Sequence, residues 1–165
     1  MNTEESFIKI YDEYSPKIFK YCLFRVSSKE EAEDLASQTF LKAWDYTSTG
    51  KEIDNFQAFL YQIAHNLVVD HYRKGRSSKE ISIDNPDNPI DIPENVEFVD
   101  TLDQELALRD VRQKLDELPD NYKEIITLRY VNDLSIKEIA QAMSITENNA
   151  SVILHRATEK LKKLT

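Results

Sequence analysis

The segment that most constrains the fold of this chain is its C-terminal part, residues 134–164, which has the pattern of two short helices joined by a tight turn. Ser135 followed by Glu138 forms a capping box, the sequence signature of a helix N-terminus. Ser144 begins the turn, and Thr146 is a good N-cap for the next helix. The sequence therefore predicts a helix-turn-helix in this segment.

The second helix of the pair has the periodicity of a helix that packs along one side. Its apolar residues repeat at intervals of four, three, four and three: Ala150, Leu154, Ala157, Leu161 and Leu164. Such a pair can place its second helix in the major groove of DNA, with the N-terminal residues at the base edges. The alternative is an αα-hairpin that only packs. We favour DNA binding.

Composition excludes several classes of protein. Because Gly50 and Gly75 are the only glycines, neither a P-loop nor a dinucleotide-binding fingerprint is possible. The single Cys22 excludes an internal disulfide and a cysteine-based metal site, and its apolar neighbours indicate a buried thiol in a reducing compartment. The N-terminus has no signal-peptide pattern, and no apolar run approaches the length of a membrane span. We expect a cytoplasmic protein without membrane insertion.

The net charge of −9 is distributed unevenly along the chain. Residues 5–75 are helical by periodicity, and residues 1–75 carry 9 basic and 12 acidic side chains. Residues 76–104 contain three prolines and carry 2 basic and 8 acidic side chains, which predicts an extended acidic linker. Residues 105–165 are helical again and carry 10 of each sign. The prediction is an all-α protein of two small helical modules, 5–75 and 105–165, joined by the linker 76–104.

Three helices are predicted in the first module. The first lies near 4–26, where Pro16 either introduces a kink or begins a second piece. The second begins after Ser27 and Ser28 and continues to about Tyr46. Its predicted buried stripe consists of Ala32, Leu35, Ala36, Thr39, Phe40, Ala43 and Trp44.

The third helix, about 56–74, combines an apolar stripe with a side of mixed polar character. The predicted inward residues are Phe56, Phe59, Leu60, Ile63, Ala64, Leu67 and Val68, and the predicted outward residues are Gln57, Tyr61, Gln62, His65, Asn66, Asp70, Arg73 and Lys74. On the outward side Tyr61 can stack on a base and Asn66 can bind a base edge, as in proteins that hold single strands. Arg73 and Lys74 can hold phosphate. A solvated surface without a ligand is the alternative.

Several segments, in order, resemble one protein family. They are EAEDLASQTFLKAW at 31–44, FQAFLYQIAHNLVVDHYRK at 56–74, Leu118-Pro119, Leu128-Arg129-Tyr130, Leu134-Ser135 and Leu154-His155-Arg156-Ala157. Together they resemble the extracytoplasmic-function (ECF) group of bacterial sigma-70-type RNA polymerase sigma factors. The resemblance covers nearly the whole chain, as a region 2 module, a linker and a region 4 module.

The resemblance implies a role and partners for each part. Region 2 would bind the β′ clamp helices of core RNA polymerase with Asp34, Gln38 and Lys42. The loop 45–55 and the third helix would recognise and open the −10 element of promoter DNA through Tyr61, Asn66, Asp70, Arg73 and Lys74. The linker would run toward the active centre and mimic the charge of RNA. Whether an anti-sigma protein also binds is left open by the sequence.

Region 4 would contact the β-flap of the polymerase and read the −35 element with the helix that starts at Thr146. The residues expected at the DNA are Asn148, Asn149, Ser151, His155 and Arg156. Asparagine can pair bidentately with adenine, and arginine can hold phosphate.

This chain departs from the family pattern at two places. Ser37-Gln38 stands where the family usually has Gln-Glu, which removes an acidic group from the predicted polymerase contact. Ser151 and Ile153 stand where the family's recognition helix usually has basic residues. Because both lie off the predicted apolar stripe, we expect Ile153 to be exposed and −35 reading to be weakened.

Two other functions fit parts of the sequence less well. A stand-alone helix-turn-helix regulator needs a sensor or dimerisation module in residues 5–75, yet no heptad pattern occurs there. A helical metal phosphohydrolase is suggested by His65, Asp70 and His71, but such a site needs further His and Asp ligands from other helices. We therefore expect no enzyme activity, no cofactor and no metal site.

Overall fold

The structure, a computed structural model, describes residues 3–26, 28–78 and 112–164. Every regular element in these residues is helical, which confirms the all-α prediction. The chain divides into two compact units, Met1–Ile92 and Pro93–Thr165. Across the described ranges, none of the helices has both the length and the apolar character needed to cross a membrane.

Unit 1 is a bundle of three helices, each of which packs against the other two. They are α1 (Thr3–Arg25), α2 (Lys29–Thr47) and α3 (Phe56–Ser78). Helix α1 continues past Pro16, so the alternative of a separate second piece is wrong. Pro16 lies on the exposed side of the helix and not in its packed face.

The centre of unit 1 is an aromatic contact between α1 and α3. The rings of Tyr21 and Tyr61 meet edge to face with centroids 5.7 Å apart, and both residues are fully buried. Buried apolar side chains from all three helices make up the rest of the core of unit 1: Ile18, Cys22, Leu23, Phe24, Leu35, Phe40, Leu60, Ala64 and Val68. The predicted burial of the Cys22 thiol is confirmed.

Helix α2 begins and ends close to where the sequence predicts. Ser28 Oγ accepts a hydrogen bond from the Glu31 amide at 3.2 Å, which satisfies a backbone donor at the helix N-terminus. The predicted buried stripe from Ala32 to Ala43 is buried, and Trp44 is half-buried. Beyond the helix, Gly50 has φ +84°, a left-handed conformation that glycine adopts without steric cost.

Helix α3 is longer than the apolar pattern predicts. It ends at Ser78, so residues 76–78 of the predicted extended linker are helical instead. A helix can continue without an apolar stripe until a proline or an incompatible cap stops it, and the first proline after α3 is Pro86. Residues 79–104 of the predicted linker lie outside the described residues.

Unit 2 contains the helix-turn-helix. Its described helices are α4 (Asp120–Ile126), α5 (Ile136–Met143) and α6 (Glu147–Lys163), with a π-helical turn at Thr127–Val131 between α4 and α5. Residues 112–115 are also helical. Both α4 and α5 pack against α6, so α6 is held from two sides.

The capping predictions for α5 and α6 are confirmed. Ser135 Oγ accepts from the Glu138 amide at 3.1 Å, and the Glu138 carboxylate accepts from the Ser135 amide at 3.1 Å. Ser144 has φ 58°, the left-handed conformation that ends α5 and reverses the chain. Thr146 Oγ1 then accepts from the Asn149 amide at 3.0 Å and starts α6.

The core of unit 2 joins the π-helical turn to the helix-turn-helix. Leu128 and Leu134 are fully buried, and the Leu134 amide donates to the Leu128 carbonyl at 3.0 Å. The remaining core is formed by buried side chains from each helix: Leu115, Ile125, Ile126, Ile139, Ala142, Ala150 and Ala157. This core fixes the angle at which α6 leaves the turn.

Replacement of Leu128 by alanine is expected to lower the free energy of unfolding of unit 2 by about 2–5 kcal/mol, because it leaves a cavity in a packed core. Chemical denaturation followed by circular dichroism measures the change. Leu164→Ala is the matched control, since Leu164 is 37% exposed and its replacement should cost less than about 0.5 kcal/mol. Equal losses in the two variants would show that Leu128 is not a core residue.

Candidate nucleic-acid interface

The outer face of α2 carries the residues predicted to bind the polymerase. Asp34 and Lys42 are exposed and Gln38 is half-buried, so all three lie off the buried stripe. Gln38 Nε2 donates to Asp34 Oδ2 at 2.7 Å, which orders two of the side chains on this face. Leu41, one residue before Lys42, is 63% exposed.

Helix α3 presents a polar stripe to solvent. Asn66, Asp70 and Arg73 follow one another at helical spacings of four and three, and all three are exposed, as is Lys74. The Arg73 guanidinium lies 3.8 Å from the Asp70 carboxylate. Because these side chains remain in solvent, their ion pair contributes little to stability.

The prediction that Tyr61 lies on this outward side is wrong. Tyr61 is fully buried against Tyr21, so its ring has no free face for a base. The apolar spacing of Phe56, Phe59 and Ile63 suggested a stripe turned away from Tyr61, yet those three residues are only half-buried. The ring of Tyr61 fills the space between α1 and α3. This contact between two helices buries Tyr61, and the apolar periodicity of α3 alone does not describe it.

The remaining predicted outward residues of α3 are partly covered. Gln57, Gln62 and His65 are half-buried, which places them at the edges of the exposed stripe. His71 Nε2 lies 3.3 Å from Glu31 Oε2 of α2. In the part of the chain that the structure describes, no three His, Cys, Asp or Glu side chains are grouped to hold a metal ion.

Residues 45–47 of the predicted loop 45–55 belong to the last turn of α2 instead. Tyr46, in that turn, holds the rest of the loop against the body of unit 1. Its ring packs on Phe59 of α3 with centroids 4.9 Å apart, and the Lys51 ammonium lies 4.9 Å from the Tyr46 ring centre. At the other end of the loop, Asn55 Oδ1 accepts from the Ala58 amide at 3.0 Å. An aromatic residue at the end of a predicted helix, followed by a lysine in the loop, was the signal available in the sequence.

Helix α6 exposes the residues predicted to face DNA. Asn148, Asn149 and Ser151 are exposed in its first turns, and His155 and Arg156 are exposed one turn further on. The Thr146 cap engages only the backbone of Asn149. The side chains of the first turns therefore form a polar end that can enter a groove of a nucleic acid.

The expected exposure of Ile153 is wrong. Ile153 is half-buried, whereas its neighbour Val152 is 38% exposed and Leu164, predicted to be in the stripe, is 37% exposed. Helix α6 packs against both α4 and α5, so its covered surface is wider than one stripe and includes Ile153. Val152, and not Ile153, is therefore the exposed apolar side chain among the polar residues in the first turns of α6.

Two family models match the chain, one in each unit. The model for sigma-70 region 2 matches residues 10–78, and the model for sigma-70 region 4 matches residues 108–161. The first match includes the polar stripe of α3, and the second includes all of α5 and nearly all of α6.

Characterised relatives align over nearly the whole chain. The ECF RNA polymerase sigma factor SigM of Bacillus subtilis is 31% identical, with 94% of this chain and 93% of that protein aligned. The ECF RNA polymerase sigma factor BldN of Streptomyces coelicolor is also 31% identical over 97% of this chain, which spans 60% of the length of BldN.

Two solved structures share the fold. The sigma factor RpoE of Bartonella quintana, in complex with the anti-sigma factor NepR, superposes with a TM-score of 0.78 at 22% identity, over 97% of this chain and 96% of that chain. CnrH, in complex with the cytosolic domain of CnrY, gives a TM-score of 0.72 at 19% identity, over 99% and 89%. At these identities the likeness shows the fold alone.

Two alanine variants separate the core of unit 1 from its exposed stripe. Tyr61→Ala is expected to destabilise unit 1 by about 3–5 kcal/mol, because it removes a fully buried ring. Asn66→Ala, on the same helix, should change stability by less than about 0.5 kcal/mol because Asn66 is exposed. Thermal and urea unfolding measure both. A Tyr61→Ala protein as stable as the wild type would contradict the observed rotation of α3.

Proposed function

This chain belongs to the ECF group of sigma-70 RNA polymerase sigma factors, which act in transcription initiation, and we propose how its surfaces divide that task. In this proposal the region 2 module extends from residue 5 to the end of α3 at Ser78, residues 79–104 are the acidic linker, and residues 105–165 are the region 4 module. Each module contributes one surface to promoter DNA and one to the polymerase. The two-module order of the family models supports this division.

The outer face of α2 is the proposed contact for the β′ clamp helices of core RNA polymerase. Asp34 and Gln38, joined by their hydrogen bond, supply acceptor groups, and Lys42 supplies a cation. Leu41 supplies the apolar contact, since it is 63% exposed between them. When polymerase is not bound, an anti-sigma protein can use the same exposed leucine as an apolar contact.

The stripe on α3 is the proposed site for the opened −10 element. Asn66 has the amide needed to read a base edge, and Arg73 and Lys74 supply charge for phosphates. Asp70 orients Arg73 through their ion pair. The loop after α2 lies beside this helix through the contact of Tyr46 with Phe59, and we propose that it contributes to base binding in place of Tyr61.

The polar end of α6 is the proposed reader of the −35 element, and another surface of unit 2 is the proposed contact for the β-flap. Asn148, Asn149 and Ser151 face base edges, while His155 and Arg156 contact the backbone. This end has few cations, so its affinity for DNA depends on the polymerase to hold it in place.

This division of labour implies a cytoplasmic protein that is not an enzyme. Extrusion of a base costs a few kcal/mol, and a helical protein without an energy source sustains open DNA only when binding to the polymerase supplies that free energy. No cofactor is required for any of these contacts.

The observation that carries the proposal is the exposed polar end of α6 in a chain that also contains the region 2 bundle. Reconstitution with core RNA polymerase, followed by run-off transcription from a genomic promoter library, tests it directly. Specific transcripts that require the added protein are the expected result. Failure to stimulate any initiation by cognate core polymerase would overturn the assignment.

Charge reversal on the outer face of α2 should weaken polymerase assembly. Asp34→Arg combined with Gln38→Arg places two cations on a contact proposed to need acceptors, while unit 1 stays folded because neither side chain is in the core. Competition for core polymerase against a labelled sigma factor measures the loss. Glu13→Arg, with the same charge change as Asp34→Arg on exposed α1 surface, is the control and should compete like the wild type.

The free protein should bind double-stranded promoter DNA weakly at physiological salt, whereas its holoenzyme should bind specifically. The net charge of −9 repels the phosphates, and residues 105–165 are neutral overall. Electrophoretic mobility or fluorescence anisotropy with a promoter duplex compares the two. Tight, sequence-specific binding by the purified chain alone would instead identify a stand-alone regulator.

Base reading and phosphate binding by α6 should differ in how they depend on promoter sequence. Asn148→Ala should cost about 1–3 kcal/mol at one base pair of the −35 element and little at others. Arg156→Ala should weaken holoenzyme binding to all promoters about equally and reduce the salt slope by about one unit. Binding to a set of single-substituted promoters distinguishes the two. A uniform loss in Asn148→Ala would remove it from the base readers.

A further inference from the structure

Val152 is an apolar side chain in the middle of the polar surface of α6. It is 38% exposed, and its neighbours on the helix surface are the residues three and four positions away. All four of those neighbours are exposed and polar: Asn148, Asn149, His155 and Arg156. The side chain of Val152 is therefore surrounded by residues that we propose to contact DNA.

The rotation of α6 turns Val152 away from the core of unit 2. At 3.6 residues per turn it lies about 160° around the helix from Ala150 and about 140° from Ala157, both of which are fully buried. Ile153, in contrast, lies only about 60° from Ala150 and is half-buried. Helix propensity does not explain Val152 either, because valine forms helices less readily than alanine, leucine, lysine or glutamate. Neither packing nor local helix stability therefore accounts for a valine at this position.

A valine at the base edges has one complementary partner in the major groove. All base pairs present hydrogen-bond donors or acceptors there, and thymine alone adds an apolar group, its C5-methyl. Valine has no group that forms a hydrogen bond. Placed against the exocyclic amine of cytosine or adenine, it would remove water from that amine without replacing the hydrogen bond. Against the thymine methyl, the same contact buries two apolar surfaces, which is favourable.

We propose that Val152 is a specificity-determining residue that reads the C5-methyl of one thymine in the −35 element. The proposal rests on the proposed function of α6 and adds an apolar contact to its hydrogen bonds with bases. Val152 follows Asn149 and Asn148 by three and four residues, which is about 4.5–6 Å along the helix axis. Because successive base pairs are about 3.4 Å apart, we expect this thymine within about two base pairs of the base that Asn148 reads.

Replacement of thymine by uracil isolates the proposed contact, because it removes only the C5-methyl. Each thymine on either strand of the −35 element is replaced singly, in a promoter that the holoenzyme transcribes. Competition binding then measures the affinity of the holoenzyme for each duplex. At one position we expect the wild type to lose about threefold to fivefold in affinity, the equivalent of one buried methyl group. The other replacements should change the affinity little.

Variants of Val152 test whether this side chain is responsible. Val152→Ser removes both methyl groups and should bring the thymine-to-uracil affinity ratio at that position to about one, since the contact is already lost. Val152→Ile keeps a branched apolar side chain and should retain the wild-type preference. The control is Leu164→Ser, which removes an apolar side chain of similar exposure, 37%, at the C-cap of α6 and should leave the ratio unchanged. Thermal unfolding checks that each variant is folded.

The affinity ratio also separates this inference from the function on which it rests. A wild-type holoenzyme that binds the thymine and uracil duplexes equally at every position would overturn the role of Val152, and so would an equal ratio in the wild type and in Val152→Ser. Transcription from the same promoter would still support the sigma-factor function in both cases. Absence of transcripts from every promoter would instead contradict the function itself, and the inference with it.

Discussion

The edge-to-face contact of Tyr21 with Tyr61 fixes the rotation of α3, and the exposed surface of unit 1 depends on that rotation. With Tyr61 fully buried, Asn66, Asp70 and Arg73 share the opposite, solvated side of the helix. A different rotation would bury polar side chains at a cost of several kcal/mol. The surface that we propose for nucleic-acid binding is therefore determined by an aromatic contact in the core, away from that surface.

Unit 2 uses polar groups for a comparable purpose. The Ser135–Glu138 capping box, the left-handed Ser144 and the Thr146 cap define where α5 ends and α6 begins. Each of these three features satisfies backbone groups that a helix end leaves without hydrogen-bond partners. Together they define the position of the turn between α5 and α6. The buried Leu128 and Leu134 then hold the pair at a fixed angle. As a result the first turns of α6 project as a rigid polar end.

In both units the residues proposed to bind partners contribute little to the fold. Asp34, Asn148 and Arg156 are exposed, and the ion pair of Asp70 with Arg73 is solvated. Because these side chains contribute little to the stability of the fold, they can interact with polymerase and DNA without destabilising it. This separation agrees with the proposal that a protein of net charge −9 binds promoter DNA as part of an assembled complex.

The sequence by itself determined the helical class, the caps of the helix-turn-helix and the family, because these depend on local spacing and on motifs such as the one at 31–44. It also placed Asn66, Asp70 and Asn148 on exposed surfaces. It could not place Tyr61 or Ile153, since the burial of one residue depends on how neighbouring helices meet. Tyr61 fills a gap against α1, and Ile153 is covered because α4 and α5 both pack on α6. Only the tertiary structure decided those two positions, because periodicity describes one helix while burial depends on several.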